Sequence, residues 1–154
     1  MKIITLLFSI FFLTSSYAQE FEIIDATAQK WAGGQKQSGH GINYSITLIA
    51  NKSSQKLNFD KLWIGSNYFD IKAYKHVGVK NVEIYDKGDT VYINARSLSR
   101  PAENEDITTE SQNPKLEMPP FEFKAAALIG YTCKGKRKYK TVDVIKEAKA
   151  VYYP

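Results

Sequence analysis

The stretch that decides the fold is INYSITLIAN, from Ile42 to Asn51. Its even positions are apolar or aromatic, and its odd positions are polar apart from Ile49. Because successive side chains of a β-strand point to opposite faces, this alternation predicts a strand with one buried face and one wet face. Strands of this kind are typical of antiparallel sheets.

The same period of two recurs along the chain, and helical periodicity is scarce. The longest run is Phe121 to Cys133, in which every odd position is apolar or aromatic. Shorter runs lie at Phe69–Ala73 and Val91–Ala95. Leu57–Ile64 loses its alternation at Lys61, where a β-bulge would restore the inward phase. Weaker strands are predicted at Glu20–Ala28, Lys80–Tyr85, Tyr139–Ile145 and Val151–Tyr153. Residues 144–149 fit a short helix or a strand equally well.

Turns rich in Gly, Asn and Asp separate these runs at short spacing, as at Gly65–Asn67 and Asp86–Asp89. The sequence therefore predicts an all-β fold: a single immunoglobulin-like β-sandwich of about seven to nine antiparallel strands. Residues 100–120 contain four of the five prolines and several acidic residues. That composition predicts a mobile surface loop rather than a domain boundary.

The first 18 residues have the layout of a secretory signal peptide. Lys2 precedes the largely apolar run Ile3–Leu13, and small residues lead to Ala18. The run is shorter than the roughly 20 residues that cross a bilayer. We expect an exported domain at residues 19–154, periplasmic or extracellular and without a membrane span. Loss of Lys2 leaves 20 basic against 16 acidic residues, a net charge of +4 instead of +5.

The segment KGDTVYI, Lys87 to Ile93, resembles the turn-and-strand phrase of many exported bacterial immunoglobulin-like domains. From Gln19 onward the chain is also similar to small secreted bacterial proteins of this size. The resemblance implies an immunoglobulin-like sandwich and export. It carries no functional residues.

Catalytic and metal-binding patterns are scarce. His40 and His76 lack paired ligand spacing and read as solvated loop residues, and Cys133 is the single cysteine. The sequence thus predicts no catalytic residue, no metal site and no cofactor. Cys133 shares the apolar phase of Ile129 and Tyr131, which predicts a buried, inert thiol; an intermolecular disulfide is the alternative.

Exposed aromatic side chains are the most suggestive binding feature. Tyr68, Tyr74 and Tyr92 take the polar phase of their strands, and tyrosine combines contact area with a polar tip. A second candidate contact is the basic run Lys134–Lys140. Its central cations Lys136, Arg137 and Lys138 would attract an anionic polymer, or else keep a hairpin tip solvated.

These features favour an exported, non-enzymatic binding or interaction module, with a protein or glycan of the cell envelope as its partner. Export argues against a nucleic-acid partner. One alternative is a structural or accessory subunit of an envelope assembly, acting through residues 100–120. Another is a hydrolase with dispersed carboxylates, because such pairs need no fixed sequence spacing.

Overall fold

A computed structural model of the protein describes residues 19–34, 38–99 and 117–154. The described chain is all-β. In chain order its strands are β1 (Phe21–Gly33), β2 (His40–Ala50), β3 (Leu57–Ile64), β4 (Asn67–Asp70), β5 (Ala73–Val77), β6 (Lys80–Val82), β7 (Thr90–Ser99), β8 (Ala127–Cys133), β9 (Lys136–Val142) and β10 (Lys146–Tyr153). The predicted signal peptide at residues 1–18 and residues 100–116 of the predicted loop lie outside the described part.

The strands form two sheets. One has six strands in the order β10-β1-β2-β7-β5-β6, and the other has four in the order β4-β3-β8-β9. A single apolar cluster joins the inner faces of both, so the sheets pack as two layers. At its centre the ring of Phe21 meets the edges of Phe59 and Tyr131, with centroid distances of 4.9 and 5.0 Å. Edge-to-face contacts of this kind add to the burial of apolar area.

The alternation of residues 42–51 is confirmed. Tyr44, Ile46, Leu48 and Ala50 are buried, and the side chains between them are half-buried. The predicted bulge in β3 is confirmed as well, because the pairing of β3 with β8 shifts register between Phe59 and Lys61.

Three details of the predicted strand set are wrong. Among the described residues there are ten strands instead of seven to nine, and β10 pairs with β1 in parallel, from Thr27 opposite Lys146 to Gly33 opposite Tyr153.

The third detail is Phe69–Ala73, which is two strands: β4 belongs to the smaller sheet and β5 to the larger. The chain changes sheets at Ile71, whose backbone N–H donates to the Asp60 carbonyl at 3.1 Å. Since Phe69, Ile71 and Ala73 are all buried in the core, the alternation continues through the crossing and hides it.

The long run Phe121–Cys133 is a strand only from Ala127 onward. The preceding residues lie against the outer face of the smaller sheet, where Trp63, Tyr68 and Leu128 form a second buried cluster. Phe123 packs on this cluster, and Phe121 meets the Tyr139 ring edge-on at 5.6 Å. The Trp63 indole N–H donates to the Glu117 carbonyl at 3.0 Å. We call residues 117–123 the strap.

Residues 19–34, 38–99 and 117–154 contain no helix with the length and apolarity to span a membrane.

Candidate functional site

The outward face of the larger sheet is set by the register of its central strands. Tyr44, Ile46 and Leu48 of β2 point into the core, so the residues between them point outward. Thr47 lies opposite Tyr92 of β7, and Tyr92 in turn lies opposite Tyr74 of β5. One row across the sheet therefore carries a hydroxyl and two phenol rings on the same side.

Three rings gather at the β5–β7 end of this row. The rings of Tyr74 and Tyr92 are 6.0 Å apart and inclined by 31°, and the imidazole of His76 lies 4.6 Å from Tyr92 and 5.4 Å from Tyr74. His76 is exposed and both tyrosines are half-buried. The Asn94 amide donates to the Tyr74 hydroxyl at 2.5 Å. We call Tyr74, His76 and Tyr92 the ring cluster.

Two members of this site were missed by the sequence reasoning. The sequence predicts His76 as a solvated loop residue, but it is a strand residue whose ring contacts Tyr92 at 4.6 Å. Asn94 was not singled out. His76 follows Tyr74 by two positions, and Asn94 follows Tyr92 by two positions. This spacing places each pair of side chains on one face of its strand.

Tyr68 does not join the ring cluster, so the predicted face of three exposed tyrosines is wrong at this position. It belongs to β4 in the smaller sheet and is only 3% exposed. Its ring packs 5.4 Å from Trp63, and its hydroxyl donates to Asp70 at 2.5 Å. Burial, and then the hydrogen bond to Asp70, raise the pKa of the Tyr68 phenol. The Tyr68 side chain does point to the outer face of its sheet, as its phase predicts. It is buried there because it belongs to the Trp63 cluster beneath the strap.

A second aromatic site occupies the same outward face near β1. The Arg96 guanidinium lies 3.9 Å from the ring centroid of Trp31, a cation–π distance. Trp31 is only 5% exposed, and Tyr153 of β10 packs 6.4 Å from it. A Cβ at Gly41 would lie 2.0 Å from the Ser97 carbonyl oxygen and 3.0 Å from the indole nitrogen of Trp31. Glycine at that position therefore lets the β7 backbone approach β2 closely, and leaves room for the indole as well.

The basic run is neutralised only in part, because two of its five cations, Arg137 and Lys138, form ion pairs with described residues. The Arg137 guanidinium donates hydrogen bonds to both carboxylate oxygens of Asp60, at 2.5 and 2.6 Å. The Lys138 amine donates a hydrogen bond to the Glu20 carboxylate, and this hydrogen bond raises the pKa of the amine. Lys140 donates to the Phe21 carbonyl at 2.9 Å. Of the predicted contact residues, Lys136 alone is exposed without an ion pair to another described residue.

A cleft of about 420 Å³ opens between the sheets, next to the crossing at Ile71. Two carboxylates, Asp60 and Glu83, are among its lining residues. Each carboxylate is held by a cation: Asp60 by Arg137, and Glu83 by Lys72 at 3.0 Å. The cleft is thus bordered by ion pairs rather than by free carboxylates.

In the described part of the chain, no three His, Cys, Asp or Glu side chains converge as metal ligands would. His40 is exposed at the start of β2, not in a loop. Cys133 is a free thiol, 5% exposed, in the core.

Comparisons of the chain with protein-family models, with curated proteins and with solved structures found no match. The fold places the chain among the all-β proteins with two packed sheets.

Proposed function

We propose that this protein is an exported, non-enzymatic binding module, which recognises its partner through the outward face of its larger sheet. The observation that carries the proposal is the ring cluster. Tyr74, His76 and Tyr92 lie within 6.0 Å of one another on adjacent strands, and His76 is open to solvent. Tyrosine offers broad contact at low entropic cost and is enriched where proteins bind partners.

The arrangement of this surface supports a binding role. Tyr74 and Tyr92 lie directly opposite each other on the paired strands β5 and β7, so their rings are positioned before a partner arrives. The hydrogen bond from Asn94 fixes the Tyr74 hydroxyl further. Preorganised side chains lose less conformational entropy on binding and so give higher affinity.

Affinity capture from the envelope and growth medium of the source organism tests the proposal. The wild-type protein should retain a partner that the double variant Tyr74→Ser/Tyr92→Ser loses. Tyr152→Ser is the matched control, because Tyr152 is a strand tyrosine that is 79% exposed and remote from the ring cluster in the strand order. If the double variant captures the same partners as the wild type, the outward face is not the recognition surface.

We further propose that the sandwich is immunoglobulin-like. In that fold the chain-ordered strands A to G form the sheets A-B-E-D and C-F-G. The orders β1-β2-β7-β5 and β3-β8-β9 support the assignment, with β1, β2 and β3 as A, B and C, β5 and β7 as D and E, and β8 and β9 as F and G. The remaining strands would be additions at the sheet edges. An experimental structure with another strand order would refute this assignment.

Lys136 and the neighbouring Lys134 are the part of the basic run that supports the predicted secondary contact, because both are exposed and neither has an ion pair within the described chain. The second candidate function is the hydrolase, which the joint position of Asp60 and Glu83 at the cleft favours. Asp60→Asn and Glu83→Gln would abolish hydrolysis if that candidate were correct. The ion pairs on both carboxylates favour the binding module instead.

A further inference from the structure

We infer that the ligand of the outward face is a neutral glycan, whose sugar rings stack on the ring cluster and whose hydroxyls bond to the strands beside it. This inference rests on the proposed binding function and names the chemical class of its partner. It is carried by the rings, by the side chains next to them, and by the lack of charge between them.

The ring cluster suits one face of a sugar ring. A pyranose presents C–H groups on its apolar face, and these groups are attracted to the electron-rich face of an aromatic ring. Tyr74 and Tyr92 are inclined by only 31°, so together they form a shelf rather than a wedge. The His76 imidazole is inclined by 76° to Tyr74 and by 47° to Tyr92, so it forms a side wall of this shelf on the exposed side.

The neighbouring outward positions supply hydrogen-bonding groups. Thr47 lies opposite Tyr92, and Ser45 lies opposite Asn94. One row further along, Asn43 lies opposite Arg96. At about 3.4 Å per residue, the surface from Tyr92 to Arg96 is roughly 14 Å long, which is sufficient for an oligosaccharide rather than a single sugar.

The outward face has no excess of positive charge that would hold an anionic polymer. Among the outward positions of β2 and β7, all of them described, Arg96 carries the only charge, and it lies over the Trp31 ring. On β1, Asp25 lies opposite Thr47 and is paired with Lys146 at 2.8 Å. Nucleic acids and acidic glycans need several cations to offset their own charge. A protein partner would use the same tyrosines, because Tyr and Arg are enriched among the residues that dominate protein interfaces. It is the competing outcome of the experiment below. Hydroxyls and amides around a ring shelf match a polyhydroxylated, uncharged ligand.

Calorimetric titration with defined oligosaccharides tests the inference. The probes are hexamers of β-1,4-linked glucose, α-1,4-linked glucose, β-1,4-linked mannose and β-1,4-linked N-acetylglucosamine, with a galacturonic acid hexamer as the anionic comparison. We expect at least one neutral hexamer to bind, and Tyr92→Ser to weaken it at least tenfold. Tyr152→Ser should bind like the wild type. Affinity should stay constant from roughly 50 to roughly 500 mM salt, because screening acts only on charges.

A second variant separates a loss of binding from a loss of the folded structure. Thr47→Arg leaves every ring in place but projects a long side chain from the strand beside Tyr92, so it should block the neutral hexamer while thermal unfolding stays cooperative. Preferential, salt-sensitive binding of the galacturonic acid hexamer would overturn the inference. The inference would also be overturned if no neutral hexamer bound while affinity capture still depended on Tyr74 and Tyr92. In that case the proposed binding function would still hold. If neither readout depends on those tyrosines, both proposals fall.

Discussion

Cys133 illustrates how position decides the chemistry of a single side chain. Its thiol is 5% exposed and belongs to the core cluster, opposite Leu57 in the sheet. The predicted burial is therefore confirmed, whereas the alternative of an intermolecular disulfide requires an accessible sulfur. Reactive cysteines are partly exposed.

We expect Cys133 to resist a thiol reagent until the protein unfolds. Labelling with dithionitrobenzoate should be slow in buffer and complete within minutes in concentrated guanidinium, because the core shields the sulfur. The readout is the released chromophore per chain. Stoichiometric labelling of the native protein on mixing would contradict the burial of Cys133.

Tyr131 is the residue whose titration links stability to alkaline pH. Burial, followed by the charge of Glu20, raises the pKa of its phenol from 10.0 to about 12. The folded state thus favours the neutral phenol, and this contribution is complete below pH 10. It is lost as the pH rises toward 12, because the unfolded chain releases the proton first.

We expect the free energy of unfolding to fall between pH 10 and pH 12, by up to about 1.4 kcal/mol per pH unit for each such tyrosine. Burial also raises the pKa of Tyr85 and Tyr68, which add to the slope. Urea denaturation at successive pH values measures it. Tyr131→Phe should make the slope shallower, and an unchanged slope would show that Tyr131 is not the source.

At the scale of elements, the strap depends on close contact between rings and the β8 backbone. A Cβ at Gly130 would lie 2.9 Å from the Cβ of Lys61 and 3.2 Å from the Trp63 ring. Both distances are too short for an unchanged packing. Gly130 therefore lets Trp63 lie over β8, where the strap covers it.

We expect Gly130→Ala to destabilise the protein by about 1–3 kcal/mol, the usual cost of overpacking, and to shift the tryptophan emission to longer wavelength. Urea denaturation followed by fluorescence measures both effects. Gly88→Ala is the control: its φ of 94° makes alanine strained, but nothing lies within 4 Å of the added Cβ. It should lose stability without the change in emission. Equal emission spectra for the two variants would contradict the packing role of Gly130.

Structural features that depend on neighbouring residues in the sequence could be predicted, whereas features that depend on contacts between distant residues could not. The alternation of β2 and the bulge at Lys61 follow from neighbouring residues alone. Phe121 and Phe123 alternate like a strand, yet Phe123 packs on the Trp63 cluster and Phe121 on Tyr139, which are contacts between residues far apart in the sequence. The burial of Tyr68 depends on the same cluster. The candidate site was half predicted, since Tyr74 and Tyr92 were found by phase, but only the pairing of β5 with β7 brings His76 against Tyr92.

At the scale of the whole molecule, β10 completes the larger sheet by pairing with β1. It adds the contact of Tyr153 with Trp31 and two ion pairs, Lys146 with Asp25 at 2.8 Å and Lys30 with Glu147 at 2.7 Å. Without β10, one side of β1 would expose unpaired backbone groups. Such edges pair readily with other chains.

We expect a truncation that removes residues 146–154 to lower the thermal midpoint and to self-associate. Light scattering after size-exclusion chromatography measures the mass of the particles. The double variant Lys30→Gln/Glu147→Gln keeps the strand but removes one exposed ion pair, and it should behave like the wild type. A truncated protein with unchanged mass and midpoint would show that β10 does not protect the edge.

The parallel pairing of β1 and β10 also determines how the molecule responds to mechanical load. If residues 19 and 154 are pulled apart, the two strands are drawn in opposite directions along their own axes, because both run the same way through the sheet. Their hydrogen bonds then carry the force together in shear, whereas a terminal hairpin would unzip one bond at a time. A module that is pulled at both of these ends would therefore hold its shape under tension.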